Sequence, residues 1–247
     1  MENLITNYID SIIKIKAFNN NGDSIKLFTG SFYEIPGIED VFIVTATHCI
    51  MDDNISKLEL SFFNNCKLKT HTLNLNEYEC EHIQDYDLTV IYIKKPIFYD
   101  VHYKITSNTI HKPLKYNYYN LLSYFVKTLG YYDANIEPCI LENAQIVSPY
   151  SPDKFYIKSS NIPKGYSGAP VFIEFYSQTN ILQIFLIGYI SKNVGNNNIE
   201  VISAENLLLV DKFLKRKYLS SSISISQFFI ICKISVFSYL SFSSRLE

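Results

Sequence analysis

The chain has 247 residues, of which 47% are hydrophobic, so it can build one large or two small packed cores. Its 22 basic and 24 acidic residues give a net charge of −2 and lie scattered, apart from a short cationic cluster at Lys212 to Lys217. That balance disfavours nucleic acid and anionic membrane as partners. The five cysteines, Cys49, Cys66, Cys80, Cys139 and Cys232, are odd in number and show no CxxC spacing, which points to reduced thiols. Five scattered histidines lack ligand spacing with carboxylates or thiols, so neither a metal nor another cofactor is expected.

The first residues, Met1 to Phe18, mix Glu2, Asp10 and two lysines with apolar positions and do not read as a secretion signal, which points to a cytoplasmic location. From Ile12 to about Val101, apolar residues come in short runs or alternation: Ile12 to Lys16, Val41 to Val44, Leu58 to Phe63 and Leu88 to Ile93. β-Branched and aromatic residues dominate these runs, and Asn, Asp and Gly separate them, which is strand patterning. Asn19-Asn20-Asn21-Gly22-Asp23 predicts a hairpin turn between two early strands.

Lys95 to Pro113, with prolines near both ends, reads as a linker packed on the surface. Further strands are expected over Tyr124 to Leu129, Cys139 to Val147, Phe155 to Lys158, Pro170 to Tyr176 and Ile181 to Ile190. The expected organisation is a first β unit over 1–112, a second over 113–203, and a helix with a Ser-rich hydrophobic tail over 204–247. The helical spacing of Leu207, Leu208, Val210, Phe213 and Leu214, with Ser203 as N-cap, carries the helix. The tail from Ile223 to Phe242 is about as long as a membrane span, but Lys233 near a bilayer centre costs about 2.5–3.5 kcal/mol. Membrane association of this tail is therefore the disfavoured reading, and a docking element, a disordered end or a corrupted reading frame the favoured ones.

Three segments carry chemistry, and their order matters more than any one of them. In Ile43-Val44-Thr45-Ala46-Thr47-His48-Cys49 an apolar strand delivers a histidine. In Asp85-Tyr86-Asp87-Leu88-Thr89-Val90 a carboxylate abuts an apolar strand, and Asp87 fits better than Asp85 because it lies next to the strand. In Gly165-Tyr166-Ser167-Gly168-Ala169-Pro170 two glycines permit a tight turn around a serine, and an apolar strand anchors that turn. A serine hydroxyl is a poor nucleophile near neutral pH and needs an adjacent base, which in turn needs a group to fix its tautomer. The candidate catalytic set is His48, Asp87 and Ser167, with the backbone N–H groups of Gly165 and Ser167 as the oxyanion hole.

Thr45-Ala46-Thr47-His48-Cys49 resembles the Thr-Ala-Ala-His-Cys signature of trypsin-like serine peptidases, and Gly165 to Pro170 resembles their Gly-Asp-Ser-Gly-Gly-Pro. Asp87-Leu88-Thr89-Val90 is similar to their aspartate strand, and Gly188-Tyr189-Ile190-Ser191 to the strand that pairs with substrate. The resemblance implies an all-β fold of two packed antiparallel six-stranded barrels followed by a helix, and a peptide or protein substrate cleaved through an acyl-enzyme. It further implies a bacterial, intracellular type of enzyme. By the same resemblance Asn161, Ser191, Lys192 and Asn193 would line the substrate pocket, with no acidic base for a trypsin-like preference. Cys49 has no disulfide partner near Thr29-Gly30-Ser31, and Tyr166 stands where zymogens of the family carry an activating aspartate, so activation by cleavage is not expected. The alternative reading of the same residues is a catalytically silent trypsin-like fold that binds peptides or is gated by a regulatory protein partner.

Overall fold

The computed structural model describes residues 4–35, 38, 40–64, 66–83, 86–93, 104–106, 121–132, 135–148, 153–160, 162–176, 179, 182–209 and 212. The expected boundary near 112, the tail beyond 212, Asn161 and Asp85 lie outside the described residues.

The N-terminal unit holds strands β1 (Ile12–Phe18), β2 (Ser24–Glu34), β3 (Val41–Thr45), β4 (Lys57–Asn64), β5 (Lys67–Asn74), β6 (Tyr78–His82), β7 (Thr89–Ile93) and β8 (Ile105–Thr106). Its hydrogen-bonded order is β5-β4-β1-β2-β3-β7-β6, with the short β8 parallel to β2. The C-terminal unit holds β9 (Phe125–Gly130), β10 (Cys139–Ile146), β11 (Lys154–Lys158), β12 (Pro170–Tyr176), β13 (Leu182–Gly195) and β14 (Asn198–Ser203). These six close into a barrel in the order β10-β11-β14-β13-β12-β9. The fold is thus the expected all-β, chymotrypsin-like pair of antiparallel units. The first unit is a curled half-barrel of eight strands rather than a closed one of six among the described residues.

Period-two alternation makes these strands. In β4, Leu58, Leu60 and Phe62 turn inward and the residues between them outward, and in β1 Ile13, Ile15 and Ala17 share the inward face. Each unit has its own core: Phe28, Phe32, Leu60 and Ile91 fill the first, and Phe155, Val171, Ile187 and Val201 the second. A third cluster joins the units, with Tyr33, Phe42 and Val90 meeting Leu129, Phe172, Leu186 and Tyr189. Fully burying each such aliphatic or Phe side chain is worth about 1.5–3 kcal/mol, so this shared core fixes one unit against the other. Ser31 and Tyr189 add a buried hydroxyl contact of 3.2 Å across the same seam.

The hairpin at Asn19–Asp23 forms as read: the Gly22 N–H donates to the Asn19 carbonyl at 3.0 Å, and the Asn19 side chain accepts from the N–H groups of Asn21 and Asp23. Helix follows β14 from residue 205, and the Ser203 hydroxyl accepts the Glu205 N–H at 3.3 Å. Leu207 of that helix is fully buried in the shared core. Within the stretch expected to be a surface linker, Ile105 is also fully buried there, because β8 pairs with β2. Among the described residues no helix is long and apolar enough to cross a membrane.

Candidate active site

β3 and β7 pair with Thr45 opposite Thr89, so extending that antiparallel register by two residues sets Asp87 opposite Thr47. Here the chain leaves β3 through Ala46 and enters a single helical turn, α1 (Thr47–Ile50). The Thr47 and Thr89 hydroxyls meet at 2.9 Å and tie the turn to β7. His48 is thereby delivered to Asp87. Its ring Nδ1–H donates to Asp87 Oδ2 at 2.7 Å, and its backbone N–H donates to Oδ1 at 2.8 Å. One carboxylate therefore fixes both the ring and the turn that carries it.

A third donor comes from the other unit, where the buried Ser191 hydroxyl of β13 donates to Asp87 Oδ2 at 2.6 Å. Burial pushes the Asp87 carboxyl up, but the His48 ring, the Ser191 hydroxyl and the His48 N–H together bring it below the usual carboxylate range. The His48 imidazole is raised from 6.5 to about 10. Asp87 is the main cause; the Cys49 sulfur, 3.4 Å from Nε2, gives the protonated ring an acceptor at its second nitrogen, and burial opposes both.

The loop around Ser167 is pinned between the two units. The Thr29 N–H donates to the Ser167 carbonyl at 3.0 Å, and the Thr29 hydroxyl donates to the Gly165 carbonyl at 2.8 Å. The Gly168 N–H donates to the Ile190 carbonyl at 2.7 Å. Gly165 and Gly168 both have positive φ, at 104° and 82°. At Gly168 a Cβ would collide with the Thr29 carbonyl, the Thr45 hydroxyl and the Ala46 N–H, so only glycine fits against the end of β3. This close approach sets Ser167 beside the chain that leads into His48. Ser167 is half-buried, and among the described residues nothing accepts from the N–H groups of Gly165 and Ser167. No hydrogen bond joins the Ser167 hydroxyl to His48; Nε2 faces Cys49 instead.

Tyr166 is buried against Gly130, and its hydroxyl donates to the Cys139 carbonyl at 2.9 Å. Burial pushes that phenol up, so Tyr166 is a neutral anchor for the loop. Of the expected pocket residues, Ser191 turns its side chain to Asp87. Lys192 is exposed, with its ammonium 3.7 Å from Glu200, and the Asn193 side chain accepts the Gly195 N–H at 2.9 Å. Beyond Ile190, β13 has no partner on its β12 side among the described residues, which leaves a strand edge open next to the loop.

Sequence reasoning did not find Thr29 or Glu200. Glu200 is a buried carboxylate of β14, 3.4 Å from the Ser191 hydroxyl and paired with Lys154 at 3.0 Å. Burial pushes its carboxyl up, yet the two lysines and Ser191 hold it below the ordinary range. An acidic residue between apolar neighbours in Asn198-Ile199-Glu200-Val201-Ile202 was the available signal, since alternation turns it away from the barrel core.

Two units with a His–Asp pair and a glycine-flanked serine at their seam define the chymotrypsin-like fold class. No family model matches the chain, and no curated protein matches it in sequence. Solved structures do match. The active form of the Rv3671c protease from M. tuberculosis aligns with a TM-score of 0.51 at 13% identity, over 83% of this chain and 81% of its own. Deg5 aligns with a TM-score of 0.55 at 14% identity, over 84% of this chain and 90% of its own.

Proposed function

We infer that the chain is a serine endopeptidase that hydrolyses peptide bonds through an acyl-enzyme. Ser167 Oγ attacks the scissile carbonyl, His48 Nε2 takes its proton, and Asp87 holds the ring tautomer and stabilises the imidazolium. The N–H groups of Gly165 and Ser167 stabilise the tetrahedral oxyanion, an effect worth roughly 10²–10³ in rate per donor in comparable sites. His48 then returns the proton to the leaving amine, and water repeats the sequence on the ester. The observation that carries this reading is the double hold of Asp87 on His48, at 2.7 and 2.8 Å, with Gly168 packed against Ala46 two residues before it.

The contact between Nε2 and Cys49 favours one second reading, a resting state that bound substrate converts. Conversion requires His48 to exchange the Cys49 sulfur for the Ser167 hydroxyl; catalytic hydrogen bonds commonly tighten only in the substrate complex. A peptide-library digest with wild type and Ser167→Ala tests the proposal. Cleavage by the wild type alone supports it, and cleavage by neither, or equally by both, refutes it.

A further inference from the structure

A cleft of about 310 Å³ opens directly beside Gly165, between Ser24 to Leu27 of β2 and Lys164-Gly165 of the serine loop. Its floor is an unpaired strand edge. β2 pairs with β1 from Ser24 to Ser31, but meets β3 only from Ser31 to Tyr33. The Thr29 N–H points away from β1, to the Ser167 carbonyl. By the two-residue period of an antiparallel strand, Leu27 turns its N–H and C=O groups to that same side, and the register shift between Ala17 and Phe18 of β1 ends this period at Ile25. An extended peptide can therefore lie along this edge.

The walls are cationic. Lys26 is held in place, with its ammonium 3.1 Å from Asp52 and donating to the His48 carbonyl at 3.1 Å. Lys164 is exposed, and among the described residues no carboxylate pairs with it. No acidic side chain lines the cleft, so one ammonium there is left uncompensated. The open edge of β13 adjoins the serine loop through Ile190 and Gly168, and β2 adjoins the same loop through Thr29, so the two edges flank Gly165 and Ser167 from different strands.

We propose that this cleft receives the leaving-group side of the substrate and selects a carboxylate within the first two residues after the scissile bond, through Lys164. This inference rests on the peptidase reading of Ser167, and the substrate class it names is a polypeptide acidic just beyond the cleaved bond. The selectivity expected from one exposed ion pair is modest, about three- to fivefold in kcat/KM. It shrinks in high salt, because the pair is open to screening.

The test uses two peptide series that share the acyl half and differ only in the two residues after the bond, Asp or Glu in one and Lys in the other. Wild type, Lys164→Ala and Lys164→Glu are assayed on both. A p-nitrophenyl ester, which has no residue on the leaving side, is run in parallel with wild type and Ser167→Ala. A preference for the acidic series that disappears in Lys164→Ala and reverses in Lys164→Glu supports the inference. Ser167-dependent ester turnover without that preference, or with a preference that Lys164→Glu retains, overturns it and leaves the peptidase reading standing. Absence of ester turnover in the wild type overturns the peptidase reading, and the inference with it.

Discussion

The Ser191 hydroxyl, on β13 of the second unit, donates at 2.6 Å to the Asp87 carboxylate carried by the first. This single bond ties the orientation of His48 to the docking of one unit on the other. A hydrogen bond to a charged group is worth about 1.5–3 kcal/mol. Ser191→Ala is expected to lower the unfolding free energy by about that amount, measured by denaturant titration. It should also reduce kcat/KM about tenfold, because Asp87 holds the ring less tightly.

The pH dependence follows from the raised imidazole. The proposed proteolysis needs His48 neutral, so activity should climb through the alkaline range, with a half-maximum well above 6.5. Cys49→Ala removes one of the two acceptors that hold the proton, and the limb should move to lower pH. A pH–kcat/KM profile of both proteins checks this; an unchanged limb in Cys49→Ala would show that the sulfur has no influence on the ring. The same shift has a stability sign. Since the folded value lies above the unfolded one, the contribution of His48 is complete below about pH 6.5 and is lost as pH rises through about 10.

Gly168→Ala is expected to be severe. The positive φ alone costs a side-chain-bearing residue about 1–3 kcal/mol, and the new methyl group meets the backbone of Thr29 and Ala46 in addition. Loss of thermal stability together with loss of peptidase activity is the expected result. Ala169→Gly, one residue on, should destabilise without abolishing activity.

Tyr166→Phe separates anchoring from chemistry. The phenol donates to the Cys139 carbonyl in a buried site, so its removal should cost about 1 kcal/mol of stability. Activity should fall by only a few-fold, because no step uses that oxygen, and steady-state kinetics beside a denaturant curve would check both effects.

Where residues alternate cleanly, the fold was legible from sequence. Ile13, Ile15 and Ala17, or Leu58, Leu60 and Phe62, each point to one face, and the turn at Asn19–Asp23 is written in its side chains. β5 was not legible because it is exposed along most of its length and pairs only with β4, so polar residues occupy both faces and no period survives. β14 was missed as the continuation of a long hairpin, and with it Glu200 and the sixth strand that closes the second barrel. Likewise the 3-10 helix Leu4–Ser11, whose Tyr8 and Ile9 pack on the shared core, has no strand period to reveal it.

Of the candidate site, the residue types and their order were readable, and the His48–Asp87 contact follows from the β3–β7 register. What the sequence could not display was which buried partners complete the site. Ser191 lies 104 residues from Asp87, and Thr29 lies 136 from Gly165, separations that only the docking of two units brings to bonding distance. The orientation of the Cys49 side chain is a rotamer choice, which no pattern of residues encodes.

The most direct measurement is site mapping with a fluorophosphonate probe, read by mass spectrometry of the labelled protein. A single adduct on Ser167, lost in Ser167→Ala and strongly reduced in His48→Ala, is the predicted result. No adduct on the wild-type chain, or an adduct at Ser167 that forms as fast without His48, would contradict the assignment of Ser167 as an imidazole-activated nucleophile.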